Sequence, residues 1–151
     1  MRMKDICRQA AAPTVKHIYT GESFTKMSMV GTKWRRHLRV EANDAPGGDY
    51  RLDWQCEFRA LGKTCVDIRV MLDETTPIVD PNGDGFMSEE VKGSLKQLIS
   101  KSGFANVTLS PGDHTVDIEV RNYPVAAQMG RKIRLPTASL ICHSKADLRR
   151  D

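Results

Sequence analysis

Asp80, Asn82, Asp84 and Gly85 stand at the spacing that opens an EF-hand-like calcium loop, D-x-[DN]-x-[DN]-G. Alternate oxygen side chains on a tight loop converge on a hard cation, and glycine at the sixth position permits the sharp turn. Phe86 would add its carbonyl and Ser88 its hydroxyl. The twelfth position is Val91, so Glu90 or Glu89 would have to replace the usual bidentate glutamate. The competing reading is a metal-free turn, since Pro, Asn, Gly and Asp are what any tight turn uses. Calcium is the one cofactor candidate in the chain.

The cysteines are Cys7, Cys56, Cys65 and Cys142, with no CxxC pair. Cys56 shares its strand face with Leu52, Trp54 and Phe58 and reads as core. Cys65 has the opposite parity to Val66, Ile68 and Val70 and reads as outward. A Cys56–Cys65 bridge would have to cross the sheet, which disulfide geometry resists. The expectation is reduced thiols in a protein made in the cytoplasm. The alternative is that Cys7, Cys65 or Cys142 cross-links neighbouring subunits.

Other chemistry is sparse. His17, His37, His114 and His143 lack zinc-ligand spacing. No serine sits in Gly-x-Ser-x-Gly, and no glycine-rich phosphate loop precedes a helix. Glu89 and Glu90 read as charges at a helix start. A non-enzymatic protein is expected.

Trp34, Arg35, Arg36 and Arg39 form a basic strand face around one aromatic, and Arg131, Lys132 and Arg134 form a second cluster. The first is a candidate protein contact or a solvated face that discourages edge pairing. Nucleic acid is disfavoured as a partner because aromatic platforms for single strands are scarce.

These residues need elements to hold them. Tyr50 to Arg59 alternates apolar and polar residues with period two. A short Gly-containing connection follows at 60–63. Thr64 to Leu72 then alternates again, with Val66, Ile68, Val70 and Leu72 inward. Asn43 to Asp49 is rich in turn formers and reads as a loop. Gly21-Glu22 punctuates two earlier strands. Glu89 to Ser102 switches to helical spacing, with Val91, Leu95, Leu98 and Ile99 on one side, Ser88 as N-cap and Gly103 as C-cap. Phe104 to Leu109 and Thr115 to Arg121 are strands around the turn Ser110-Pro111-Gly112-Asp113. Lys132 to His143 holds a last strand, with Pro136 marking an edge or a bend.

The fold class this predicts is all-β: an antiparallel β-sandwich, jelly-roll-like, with one inserted amphipathic helix. The domain boundaries are an N-terminal arm at 1–12, a sandwich at 13–145 with a loop-helix insertion at 77–103, and a charged tail at 146–151. A chain of 151 residues, 40% hydrophobic and 28% charged, can bury one core without staples. A net charge of +4 is too small to argue nucleic-acid binding without clustering on one face. The N-terminus lacks the apolar stretch of a signal peptide. No run is long enough to span a membrane as a helix, so no membrane partner is expected.

Several segments carry a family resemblance. These are Ser23 to Met27, Gly48-Asp49-Tyr50-Arg51-Leu52-Asp53-Trp54, and Arg69-Val70-Met71-Leu72-Asp73-Glu74-Thr75. Farther on come Phe104, Val107-Thr108-Leu109, Gly112, and His114-Thr115-Val116-Asp117-Ile118. The pattern resembles β-sandwich proteins of tailed-bacteriophage virions: head decorations, neck and collar proteins, and tail-fibre or receptor-binding domains. It covers roughly Ser23 to Arg121, with a gap at the Asp80 loop and the expected helix. The resemblance implies a structural protein located in the virion and synthesised in the host cytoplasm. It implies assembly as a homo-oligomer and with other virion proteins at head, neck or tail. The alternative is a receptor- or carbohydrate-binding fibre module, calcium-dependent if the Asp80 loop holds the ion.

Overall fold

The computed structural model describes residues 17–23, 27–29, 32–60, 62–93, 96–124 and 133–144, with the main-chain course alone at 27–29, 123–124 and 133–144. These residues hold ten strands: β1 (Ile18–Ser23), β2 (Met27–Met29), β3 (Arg35–Ala45), β4 (Gly48–Ala60), β5 (Gly62–Leu72), β6 (Thr76–Pro77), β7 (Met87–Gly93), β8 (Ile99–Leu109), β9 (Gly112–Pro124) and β10 (Ile133–Ser144).

One sheet runs β1-β10-β4-β8, and the other runs β3-β9-β5 with β6 and β7 both on β5. All pairings are antiparallel. The partners nest: β5 with β7, β4 with β8, β3 with β9, β1 with β10. The chain is thus one long antiparallel ribbon rolled into two layers, which is the jelly-roll arrangement. Its tip is the segment between β5 and β7, which contains the Asp80 loop.

Period-two alternation decides which side chains meet between the layers. Tyr50, Leu52, Trp54, Cys56 and Phe58 of β4 face Val66, Ile68 and Val70 of β5 and Val116, Ile118 and Val120 of β9 in one buried cluster. Thr64 and Asn122 are buried among them and bonded to each other, Oγ1 to Oδ1. Two glycines allow close approach. A Cβ on Gly103 would lie 3.0 Å from the Trp54 ring, its cross-strand neighbour. A Cβ on Gly21 would lie 2.6 Å from Val40, where β1 folds onto β3. Gly21 therefore sits inside a continuous β1 rather than punctuating two strands.

The expected helix at 89–102 is not formed. Met87–Gly93 is a strand on β5, Ile99–Leu109 is a strand on β4, and no helix occurs among the described residues. Val91 does face the core, as helical spacing predicted, but as an inward strand residue opposite Thr64. Leu98 is 45% exposed. Backbone pairing to β5 and β4 overrides a segment weakened as a helix by Gly93. The insertion at 77–103 is therefore the middle of the jelly roll.

The loop expected at Asn43 to Asp49 is also shorter, because β3 runs to Ala45 and β4 begins at Gly48. Pro136 behaves as expected. The β10–β4 register shifts between Arg134 and Thr137, so the proline lies in an irregularity of an interior strand. The arm at 1–12, the tail at 146–151, Cys7, Arg131 and Lys132 lie outside the described residues.

Candidate functional site

The outer face of the β3-β9-β5-β7 sheet gathers residues from two regions that the sequence keeps apart. Trp34 immediately precedes β3 and Phe86 immediately precedes β7. Their rings meet edge to face at 5.6 Å. The Arg69 guanidinium lies 4.3 Å from the Trp34 ring centre and that of Arg121 lies 4.5 Å from it. Arg121 is also 4.6 Å from Phe86. Such stacking is attractive because the ring face carries negative charge.

Register places opposite charges beside each other under these rings. Arg121 is the cross-strand neighbour of Asp67, and its Nε donates to Asp67 Oδ2 at 2.6 Å. Ser88, on the other side of Asp67, donates its hydroxyl to Oδ1 at 2.6 Å. Arg69 Nε donates to Glu119 Oε1 at 2.6 Å. Arg39 grips Asp117 with two bonds, Nε to Oδ1 at 2.7 Å and Nη2 to Oδ2 at 2.8 Å, and it also bonds Glu74. Both hydrogen bonds raise the Arg39 pKa further, so it stays charged. Asp67 and Asp117 point outward yet are only 3% and 2% exposed. The arginines and aromatics cover them.

Of the expected partner contact, Trp34 and Arg39 are engaged within the chain. Trp34 is half-buried, Arg39 is held by Asp117 and Glu74, and Arg35 and Arg36 are exposed. Sequence reading missed Arg69, Arg121, Asp67 and Glu119. Their outward parity on β5 and β9 was legible, but their convergence on Trp34 depends on which strands are neighbours.

The candidate calcium ligands are distributed differently from the expected loop. The Asp80 carboxylate turns back on its own loop and accepts the Asp84 N–H at 3.1 Å. The Asp80 carbonyl accepts from Gly83 and Gly85, each at 3.1 Å. Asn82 and Asp84 are exposed. Phe86 belongs to the aromatic pair, Ser88 to Asp67, and Glu90 to Lys63 at 3.3 Å across β5–β7. Ser88 and Glu90 lie on a strand rather than on the helix a calcium loop requires. Among the described residues no three His, Cys, Asp or Glu side chains gather as a metal site.

A second feature lies where three turns meet at one end of the sandwich. Asp73 and Glu74 both have positive φ, 52° and 64°, and Thr75 N–H bonds Leu72 O at 3.1 Å. This is the tight hairpin turn that needs left-handed residues at both centres. His114 clasps it, with Nδ1 2.8 Å from Asp73 Oδ2 and Nε2 2.7 Å from Ser110 O. Both partners are acceptors, so both bonds form when the ring is protonated, and the bonds to Asp73 and Ser110 raise the His114 pKa. Glu41, Asn43, Asp113 and Thr115 complete an open acidic cleft of about 460 Å³.

Cys56 is buried and free, and burial pushes its thiol up to about 12. Cys65 is free and half-buried, and burial with nearby Glu90 and Asp67 raises its pKa. Both shifts disfavour the reactive thiolate. The Cys142 main chain pairs with Tyr19 and Leu52.

The outer face of the other sheet is unlike the first. Phe104 of β8 is 60% exposed, with the Arg51 guanidinium 4.2 Å from its ring centre. Neighbouring outward residues of β8 are Ser100, Ser102, Asn106 and Thr108, all exposed.

No family model and no curated protein sequence matches the chain. Solved structures do. The VP2 subviral particle of infectious bursal disease virus is similar with a TM-score of 0.54 at 14% identity, covering 85% of this chain and 33% of that one. The EclA C-terminal domain, a sugar-binding protein, gives 0.45 at 12% identity, covering 78% of each chain. The CBM36-1 domain of a multidomain xylanase from the hindgut metagenome of Trinervitermes trinervoides gives 0.39 at 10% identity, covering 83% of this chain and 96% of that one. The chain spans about a third of the VP2 chain. At these identities the likeness is one of fold, a β-sandwich. No helix among the described residues is long and apolar enough to cross a membrane.

Proposed function

We propose that this chain is a non-enzymatic structural protein of a tailed-phage particle, assembling with itself and with capsid, neck or tail proteins. The observation that carries the reading is Phe104. It is a large apolar side chain held out on a regular strand, in a row of neutral polar residues. Aromatic side chains such as Phe are enriched at protein interfaces relative to the rest of the surface. The placement in a phage rests on the sequence pattern between Ser23 and Arg121. The β-sandwich shared with the VP2 subviral particle supports a particle role at the level of fold.

Quantitative mass spectrometry of purified particles tests this. A copy number near that of the major capsid protein makes the chain a head decoration. A few copies per particle place it in the neck, tail or fibre. Absence from particles overturns the proposal.

The same phenylalanine favours a second reading, a receptor- or carbohydrate-binding fibre module. Sugars stack on exposed rings flanked by polar side chains, and Arg51, Asp53 and Asn106 flank this one. On a glycan array, binding that Phe104→Ala abolishes would favour this reading. A blank array would remove it.

A further inference from the structure

We propose that β8 is the self-association edge of this protein, pairing antiparallel with β8 of a second copy across a twofold axis. The inference rests on the assembly reading above and names the strand that carries it.

Among the described residues β8 pairs only with β4, and none of them occupies the other side of its ladder. Open edges are normally blunted by shortness, bulges, prolines or charged side chains, outward or inward. The other edge strands use such devices. β1 has six residues and β7 seven. β7 also carries Glu89, Glu90 and Lys92. β3 has register shifts at Arg36/Leu38 and Ala42/Ala45. β8 lacks the first three. It runs eleven residues, contains no proline, and keeps one unbroken register with β4 from Ile99 to Leu109. Its single charge, Lys101, is held by Glu89 of β7 at 3.0 Å.

The strand is also complementary to itself. Full antiparallel overlap of two copies of Ile99–Leu109 puts the midpoint, Phe104, opposite its own copy. Ser102 then faces Asn106 and Ser100 faces Thr108 on the outer row. On the inner row Ile99 faces Leu109, Lys101 faces Val107, and Gly103 faces Ala105. No like charges oppose each other. An aromatic pair at the centre is a favourable cross-strand contact, and it would cover the ring that is 60% exposed in the single chain. A twofold contact closes on itself, so the product is a dimer with one continuous sheet, not a fibre.

The test is sedimentation equilibrium of the full chain from micromolar to high-micromolar concentration. The wild type is expected to dimerise. Phe104→Glu sets two carboxylates opposite each other and should weaken the dimer about tenfold or more. Circular dichroism establishes that the variant is folded. A second measurement does not depend on destabilising the dimer. In a background with Cys7, Cys65 and Cys142 changed to Ser, Phe104→Cys should cross-link efficiently with a short bis-maleimide, and Glu41→Cys on the opposite sheet should not. A wild type that stays monomeric overturns the inference, as does a dimer unaffected by Phe104→Glu or one that cross-links equally at both positions. Any of these results leaves incorporation into particles, measured separately, as an independent question.

Discussion

The outer faces of the two sheets come from the same sequence grammar and end in opposite states. On β3-β9-β5-β7 the outward positions alternate in charge across strands, so Arg39, Arg69 and Arg121 each find a carboxylate next door. Trp34 and Phe86 then close over the pairs. On β1-β10-β4-β8 the outward residues of β8 are neutral, and Phe104 is left in solvent. One face spends its chemistry internally. The other leaves an aromatic exposed.

The contrast can be broken from either side. The largest effect is expected for Arg121→Met, which strands the buried Asp67 carboxylate without its cation. Breaking such a pair from one side costs roughly 3 kcal/mol, read as a fall in the urea midpoint. Trp34→Ala removes stacking on two arginines and on Phe86 and should cost about 1–2 kcal/mol. An unchanged midpoint would mean that the aromatics do not stabilise this face. On the open face, Arg51→Met removes a pair with Asp53 in which both side chains are 39% exposed. With the stacking on Phe104 lost as well, its cost should stay below about 1 kcal/mol. An effect equal to that of Arg121→Met would erase the distinction between the faces.

The His114 clasp gives a smaller, pH-dependent signature. Its pKa is raised in the folded state by Asp73 and the Ser110 carbonyl. The stability it contributes is therefore full below the unfolded histidine value, about 6.5. It is lost as pH rises through the higher folded value. Thermal midpoints measured across that range should fall on the alkaline side in the wild type and run flat in His114→Gln. Parallel profiles would place the titration elsewhere.

Much of this fold was readable in the chain. Tyr50 to Arg59, Thr64 to Leu72 and Thr115 to Arg121 alternate so cleanly that strand, buried face and the core position of Cys56 follow from residue type alone. The segment 89–102 was not readable. Val91, Leu95, Leu98 and Ile99 fit helical spacing, yet Val91 lies on β7 and Ile99 opens β8 once β5 and β4 supply partners. Of the candidate sites, Trp34 and Phe86 were each legible as unusual, but in unrelated roles. The sequence by itself determined period, turns and which side chains face inward, because these depend on neighbours along the chain. Tertiary structure alone decided that Trp34 meets Phe86, that Asp67 meets Arg121, and that Phe104 stands exposed beneath Arg51. Those outcomes depend on which strands lie side by side, and hydrogen-bonded pairing between distant segments sets that order.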